Sequence, residues 1–225
     1  MSSTTFSTTP TSDLPWVHEM VIIHRAFRRE TRLLPGLVRQ VADGDGARAR
    51  SLAEALRLVL AGLEMHHTSE DAVLWPALLE RAAPSTGLVE TMQAQHHGIE
   101  DHLERVVHLL PAWEAAPTRE RGVELADVLE RFAADLAEHL DLEEREILPL
   151  CLRYVTVAEW DSLGQHGMEA MTRPQLPLLF GALLEECSPE ERRAMLAKLP
   201  LPARVLVRTL GARQYRRFVS RVREG

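Results

Sequence analysis

The chain has 225 residues, 45% of them hydrophobic, and a formal net charge of −7. This apolar content excludes a disordered chain, and the acidic balance argues against general nucleic-acid binding. The charge is uneven, because residues 190–225 hold ten Lys and Arg against three acids and leave −14 for residues 1–189.

The polar first residues predict a disordered tail over residues 1–13 and lack the apolar core of a signal peptide. The two cysteines, Cys151 and Cys187, are too few for a disulfide framework and are interpreted as packing residues. No apolar run reaches the length of a membrane span. We therefore expect a cytoplasmic protein with no membrane or nucleic-acid partner.

Four stretches repeat apolar residues at steps of three and four, the spacing of one helix face. The first stripe, which follows a helix start predicted at Asp13 and Pro15, is Trp16, Met20, His24, Phe27, Thr31 and Leu34. The second is Leu52, Leu56, Val59, Leu63, His66, Glu70, Val73 and Ala77. The third is Val89, Met92, His96, Ile99, Leu103, Val106 and Leu110. The fourth is Leu125, Leu129, Phe132, Leu136, His139, Glu143, Ile147 and Leu150.

Short breaks separate these stripes, at residues 43–46, at residues 84–87 and in a turn bracketed by Pro111 and Pro117. Long amphipathic segments with short connections predict an all-α fold, an up-down-up-down four-helix bundle over residues 14–153. No strand pattern competes with this prediction.

A histidine, a glutamate and a proline recur together at the ends of the second and fourth stripes. Both copies, beginning at His66 and His139, read His-x3-Glu-x5-Pro. Residues four apart share a helix face, so each copy can present one nitrogen and one oxygen ligand to the same point. Each proline either kinks its helix just past these residues or ends it.

The halves of the chain repeat this layout. His24 precedes His66 by 42 residues and His96 precedes His139 by 43, so each predicted hairpin offers a lone histidine and then a His-x3-Glu pair. Burying glutamates on these stripes without a counter-charge would cost several kcal/mol each. A bound cation removes that cost, and imidazole with carboxylate donors and no thiolate favours iron, in preference to manganese, over structural zinc.

These four positions, in this order, resemble the hemerythrin-like, or HHE cation-binding, family over roughly residues 14–153. The resemblance implies a four-helix bundle with two non-haem iron ions that share bridging carboxylates and an oxo or hydroxo group. Carried across residue by residue, it makes four imidazoles terminal ligands and two carboxylates bridges. The imidazoles are His24, His66, His96 and His139, and the bridges are Glu70 and Glu143.

The third helix departs from the oxygen-carrying members, which have His-x3-His where this chain has His96 followed by Glu100. We expect Glu100 to ligate as a carboxylate. Three alternatives remain open: a third-helix register that uses His97 with Asp101, a second-helix register that uses His67 with Asp71, and Glu144 in place of Glu143.

The resemblance implies a protein that binds or senses O2, NO or peroxide, with slow redox turnover such as peroxide decomposition. No flavin, haem or nucleotide motif supplies a built-in electron donor, so whether the protein is an enzyme stays open. One alternative is a ferritin-like di-iron oxidase, which needs Glu-x2-His pairs; the nearest is Glu64 with His67. Another is a regulatory module that acts through the basic end on a protein partner.

Residues 154–225 are predicted to form a helical C-terminal extension, Arg-rich at its end. Ser188 followed by Pro189 has the pattern of a helix N-cap. The apolar residues of this segment predict packing on the bundle or on a second copy of the chain. These are Leu196, Leu199, Leu201, Val205, Leu206 and Leu210.

Overall fold

The computed structural model describes residues 6–11 and 13–224, and over these residues it is helical without strands. Four long helices form a ring in which each touches two others: α1 (His18–Arg39), α2 (Gly46–Ser69), α4 (Thr86–Ala115) and α5 (Arg119–Leu142). Short helices continue two of them, α3 (Trp75–Arg81) after α2 and α6 (Leu148–Tyr154) after α5. The predicted all-α four-helix bundle is confirmed.

The predicted stripes form the inside of the ring. Every stripe residue is buried, apart from four that are half-buried: Val59, Val73, Leu103 and Leu150. Burial of large apolar side chains such as Phe132 and Trp113 stabilises the fold by roughly 1.5–3 kcal/mol each. The periodicity of the sequence therefore decides which helix faces pack together.

Local sequence signals set the helix boundaries. Gly44 takes φ +80°, which favours glycine, and the Asp45 side chain accepts a hydrogen bond from the Arg48 amide to cap α2. Two predicted boundaries were wrong. Helix α1 begins at His18 instead of near Asp13, and Pro111 lies inside α4, where the buried Trp113 keeps the helix packed on the core beyond the proline.

A wider, π-helical turn follows each of the two glutamates of the repeat, over Glu70–Leu74 and over Glu143–Ile147. In each turn the closing amide, of Trp75 or of Leu148, donates to the glutamate carbonyl five residues earlier. The prolines of the repeat lie in the first turn of the helices that follow, so the helical path does not end at them. Such turns are frequent at functional sites.

The C-terminal extension forms five helices: α7 (Val157–Ala170), α8 (Leu176–Glu185), α9 (Pro189–Ala197), α10 (Leu201–Leu206) and α11 (Ala212–Arg223). Helices α7 and α11 pack on α2, and α8 packs on α1. The N-cap predicted at Ser188 is confirmed and forms a capping box with Glu191. None of the described helices combines the length and hydropathy needed to cross a membrane.

Most of the residues that were expected to pack the extension on the bundle do not do so. Side chains of α8 and α11 join the bundle core, namely Leu178, Tyr215, Phe218 and Val222. Four expected contacts are instead exposed: Leu201, Val205, Leu206 and Leu210. Part of the basic end pairs with acids of the bundle, as Arg223 does with Glu30 and Arg221 with Glu54.

The tail predicted to be disordered lies partly outside the described residues, because positions 1–5 and 12 are not described. The described part touches the bundle. Phe6 packs against its apolar core, and the Trp16 indole donates a hydrogen bond to the Ser7 carbonyl at 3.1 Å.

Candidate metal centre

A layer of buried histidines and glutamates crosses the middle of the bundle between two apolar clusters. On α1, His24 lies between Met20 of one cluster and Phe27 of the other, and on α4 His96 lies between Met92 and Ile99. The layer contains seven side chains, each at most 5% exposed: His24, His66, His67, Glu70, His96, His139 and Glu143.

The potential ligand atoms fall into two groups, within each of which they lie no more than 4.8 Å apart. The three-donor group consists of His24, His66 and Glu143. The four-donor group consists of His67, Glu70, His96 and His139. Each group draws on at least three segments of the ring, so neither exists before the helices pack.

Glu70 joins the two groups. Its Oε1 lies 3.3 Å from Nε2 of His66, in the three-donor group, and its Oε2 lies 3.4 Å from Nε2 of His96. In the three-donor group, Oε2 of Glu143 lies 3.2 Å from Nε2 of His24. A carboxylate with one oxygen toward each group has the arrangement of a bridging ligand.

Most of the inward-facing polar atoms have no hydrogen-bond partner among the described residues. These atoms are both carboxylate oxygens of Glu70 and Glu143 and Nε2 of His67, His96 and His139. Leaving a buried polar group unsatisfied costs about 1–3 kcal/mol, and more for a charge. The ion pairs described for these carboxylates involve imidazoles only. Nitrogen and oxygen donors aimed at the same space fit metal cations.

Hydrogen bonds on the outer side orient the first lone histidine. Nδ1 of His24 lies 2.9 Å from Oε1 of Glu144, which also accepts a hydrogen bond from Arg28 at 2.6 Å. The carboxylate selects the tautomer with the proton on Nδ1. That tautomer leaves the lone pair of Nε2 pointing into the layer, as metal-binding histidines require.

Outer hydrogen bonds to Nδ1 also orient the histidines in the other half of the duplicated layout. Nδ1 of His96 lies 3.3 Å from Oδ1 of Asp71, and Nδ1 of His139 lies 3.2 Å from Oε1 of Gln95. Asp71 follows Glu70 directly in the chain, just as Glu144 follows Glu143. In both copies the first acid faces the layer and the second orients a lone histidine from another helix.

Burial keeps most of the imidazoles neutral. It lowers the pKa of His66 to about 3 and that of His139 to about 4, and it lowers the pKa values of His67 and His96 in the same direction. Burial would also lower the pKa of His24, but the charges of Glu143 and Glu144 and the hydrogen bonds to both carboxylates together outweigh it and raise the pKa. Neutral imidazole is the form that binds metals.

The two carboxyl groups influence each other. Burial, followed by the charge of Glu143, raises the pKa of Glu70 well above its usual range. Burial acts in the same direction on Glu143, but the hydrogen bond to His24 and the charges of His24, His66 and His139 together outweigh it and lower the pKa. Without a cation the layer therefore favours one carboxylate over two.

The structure brings together six of the seven residues predicted as ligands: His24, His66, Glu70, His96, His139 and Glu143. Glu100, the seventh, lies outside the layer. Its side chain is 58% exposed, and its described partner is Nδ1 of His97 at 4.0 Å. Helix α4 continues regularly past His96, so Ile99 takes the next inward position and turns Glu100 toward solvent.

Burial distinguishes the alternative ligand residues that the sequence left open. His96 is buried whereas the His97 side chain is 82% exposed. Glu143 is in the layer whereas Glu144 lies outside it, bonded to His24. The Glu64 side of the ferritin-like pair is exposed.

The sequence offers His67 only as an alternative to His66, yet both belong to the layer. The His66 ring approaches His24, with centroids 5.2 Å apart, while the His67 ring stacks on His96 at 4.0 Å. Neighbouring residues of α2 point about 100° apart, and this helix faces α1 on one side and α4 on the other. The only available signal was Asp71 four residues after His67.

Comparison with known proteins places the chain in a family. The family model described as hemerythrin HHE cation binding domain matches residues 17–151, more than half of the sequence. No curated protein and no solved structure matches the chain. The matched range contains the whole buried His and Glu layer and stops before the C-terminal extension. The chain belongs to the hemerythrin HHE cation-binding domain family.

Proposed function

We propose that this protein is a hemerythrin-like non-haem di-iron protein that binds or senses O2, NO or peroxide, with slow redox turnover such as peroxide decomposition. One observation carries the proposal: the oxygens of two buried glutamates and three imidazole nitrogens face one another with no described hydrogen-bond partner. A metal-binding His and Glu cluster within a cation-binding family domain supports it further.

The proposed ligand set places one metal ion in each group. His24, His66 and Glu143 hold the first, and His67, His96 and His139 hold the second, with Glu70 shared between them. Glu100 has no part in it, and His67 takes the place that the sequence assigned to Glu100. Glu143, which the resemblance made a second bridge, is in this proposal a ligand of the first group alone. The oxo or hydroxo bridge expected from the family resemblance belongs to this proposal.

Iron is favoured because the donors are imidazoles and carboxylates, without a thiolate. The nearest cysteine, Cys151, is buried in an apolar cluster, where burial raises the pKa of its thiol well above the usual range and so disfavours a thiolate ligand. A pair of redox-active iron ions supplies a binding position for small oxygen or nitrogen ligands. The chain's own residues supply neutral imidazoles, held in orientation from outside, and an apolar cover on both sides of the layer.

The same proposal includes the up-down-up-down order of the bundle. Arg39 at the end of α1 pairs with Asp127 near the start of α5, and His24 near the start of α1 bonds to Glu144 after the end of α5. These contacts support opposite directions for α1 and α5. The domain boundaries and the cytoplasmic location predicted from the sequence are likewise kept as proposals.

Iron binding with a spectroscopic signature tests the proposal. The purified chain, stripped of metal and loaded anaerobically with ferrous iron, should retain two iron ions after gel filtration. On aeration it should develop near-ultraviolet charge-transfer absorption that shifts when azide, NO or peroxide is added. Retention of no stoichiometric iron, or of iron without this absorption, would overturn the proposal.

A further inference from the structure

A cavity of about 420 Å³ lies between the bundle and the C-terminal extension. Its walls come from α1 and α2 on one side and from α7, α8 and α9 on the other. Small-molecule sites in proteins typically enclose about 300–1,000 Å³, so this space is large enough for an organic ligand. The family match ends at residue 151, so the second wall lies outside it.

The lining is largely apolar and adaptable. Helix α8 contributes Leu179, Phe180 and Leu183, all only half-buried. Methionines line several sides: Met20, Met65, Met171 and Met195. Flexible thioether side chains fit ligands of different shapes, and half-buried apolar side chains gain stability when a ligand covers them.

The two ends of the cavity differ in chemistry. At one end the lining includes His66 and Glu70, one from each group of the buried layer. At the more exposed end Lys198 pairs with both Glu19 and Asp161, at 3.6 Å from the latter. Two acids around one cation leave this end net negative and disfavour an anionic ligand.

We propose that this cavity binds an uncharged, largely apolar organic molecule with one end against the metal centre. Only the metal contact depends on the proposed function, because the apolar walls exist independently of any ion. The extension would then give a cation-binding domain a specificity for organic ligands.

Fluorescence titration with N-phenyl-1-naphthylamine, a neutral apolar probe, tests the cavity. The metal-free chain should bind one probe molecule with a saturable increase in emission. Decanol should displace it, and decanoate should displace it at least about tenfold less well, because its carboxylate would be buried without a counter-charge at the inner end and would meet Glu19 and Asp161 at the exposed end. No saturable signal, or equal displacement by decanoate, would overturn the inference.

A matched pair of variants locates the bound probe. Gly164 lies in α7 at the cavity wall, and a Cβ added there meets no atom of the described side chains within 4 Å, so Gly164→Phe introduces a ring without a clash with them at its base. Gly36 of α1 is equally open but does not line the cavity. We expect Gly164→Phe to weaken probe binding at least tenfold and Gly36→Phe to leave it unchanged.

Phe180→Asn provides a second, independent test, because it replaces an apolar wall residue with an amide. It should also weaken probe binding, whereas Val107→Asn, at an exposed position of α4, should not. Unaltered binding in both Gly164→Phe and Phe180→Asn would place the probe elsewhere and overturn the inference.

Cobalt loading separates this inference from the proposed function. In the Co2+-loaded chain, saturation with decanol should shift the visible ligand-field bands, and an unchanged spectrum would contradict contact with the metal. A chain that binds the probe but neither iron nor cobalt would overturn the proposed function and keep the cavity. A chain that binds metal but not the probe would do the reverse.

Discussion

The two ligand groups share Glu70 but differ in what surrounds them. In the four-donor group the imidazoles cover one another, since His67 stacks on His96 at 4.0 Å and His96 meets His139 edge-on at 4.8 Å. In the three-donor group His66 lines the cavity beside the extension. The difference teaches that the groups differ in access, because an imidazole of the three-donor group faces the cavity whereas the imidazoles of the four-donor group cover one another. We therefore expect an exogenous ligand to bind in the three-donor group.

The largest effect should come from the residue that joins the groups. Glu70→Gln keeps the size of the side chain but removes its charge and one oxygen donor, so both groups should lose their metal and iron content should fall to near zero. Inductively coupled plasma mass spectrometry measures this directly. Glu100→Gln, at an exposed position, is the control and should retain full iron. Full occupancy in Glu70→Gln would show that the carboxylate does not bridge.

Removal of one imidazole from either group should have about half that effect. His24→Ala should empty the three-donor group alone and His67→Ala the four-donor group alone, so each variant should retain one of two ions. Azide should alter the spectrum of His67→Ala but not that of His24→Ala, because access lies on the three-donor side. Loss of both ions in both variants would show that the groups are one indivisible site. His97→Ala is the exposed control.

Acid should destabilise the metal-free chain. His66 and His139 have folded-state pKa values of about 3 and about 4, below the roughly 6.5 of an unfolded histidine. Between these values the unfolded state binds more protons, so stability is present above pH 6.5 and is lost as the pH falls. The loss by pH 5 is about 2 kcal/mol per histidine. His67 and His96, whose pKa values are also lowered, add to this loss, whereas His24 and Glu70, whose pKa values are raised, contribute in the opposite direction.

Urea unfolding of the metal-free protein at pH 7 and pH 5 measures this loss. His66→Gln should unfold with a smaller pH dependence, because one of the buried histidines with a lowered pKa no longer takes up a proton on unfolding. Equal midpoints at the two pH values in the parent protein would contradict the prediction.

The smallest effect should come from the outer acids. Removing such a partner typically weakens metal binding about 10–100-fold. Glu144→Gln should weaken the three-donor group more than Asp71→Asn weakens the four-donor group, because its hydrogen bond is shorter, 2.9 Å against 3.3 Å. Competition with a chelator measures both affinities. Glu146→Gln, at a surface position paired with Arg145, should have no effect.

Most of the bundle could be predicted because the spacing of apolar residues within each helix identifies the face that it buries. His24 and His96 were recognisable for the same reason, since each occupies a position in a local stripe. Glu100 was misplaced by its spacing alone: four residues from His96 is compatible with the same face, but Ile99 is the better core residue and takes that face.

Contacts between distant segments explain what the sequence did not show. The inward position of His67 depends on where α4 lies, since its stacking partner is His96. The cavity depends on how α7, α8 and α9 pack against the bundle, and no periodicity within one helix encodes that packing. The sequence shows that Asp71 and Glu144 each follow a ligand glutamate. Their role in orienting His96 and His24 becomes visible only when the helices are packed.

The wide turn after each glutamate acts as a phase shift within one continuous helix. It inserts an extra residue per turn, so the helix before it and the helix after it are rotated by about 100° relative to a regular ladder. Pro76 and Pro149 have no amide proton to donate. A regular α-helical turn would therefore gain no backbone hydrogen bond at these positions. Deleting one residue within Glu70–Leu74 would convert the wide turn into a regular one and keep the buried Leu78 facing the core, whereas closing the turn with all five residues present would rotate Leu78 by about 100°. The position of the ligands and the apolar packing beyond them are therefore fixed by the same inserted residue.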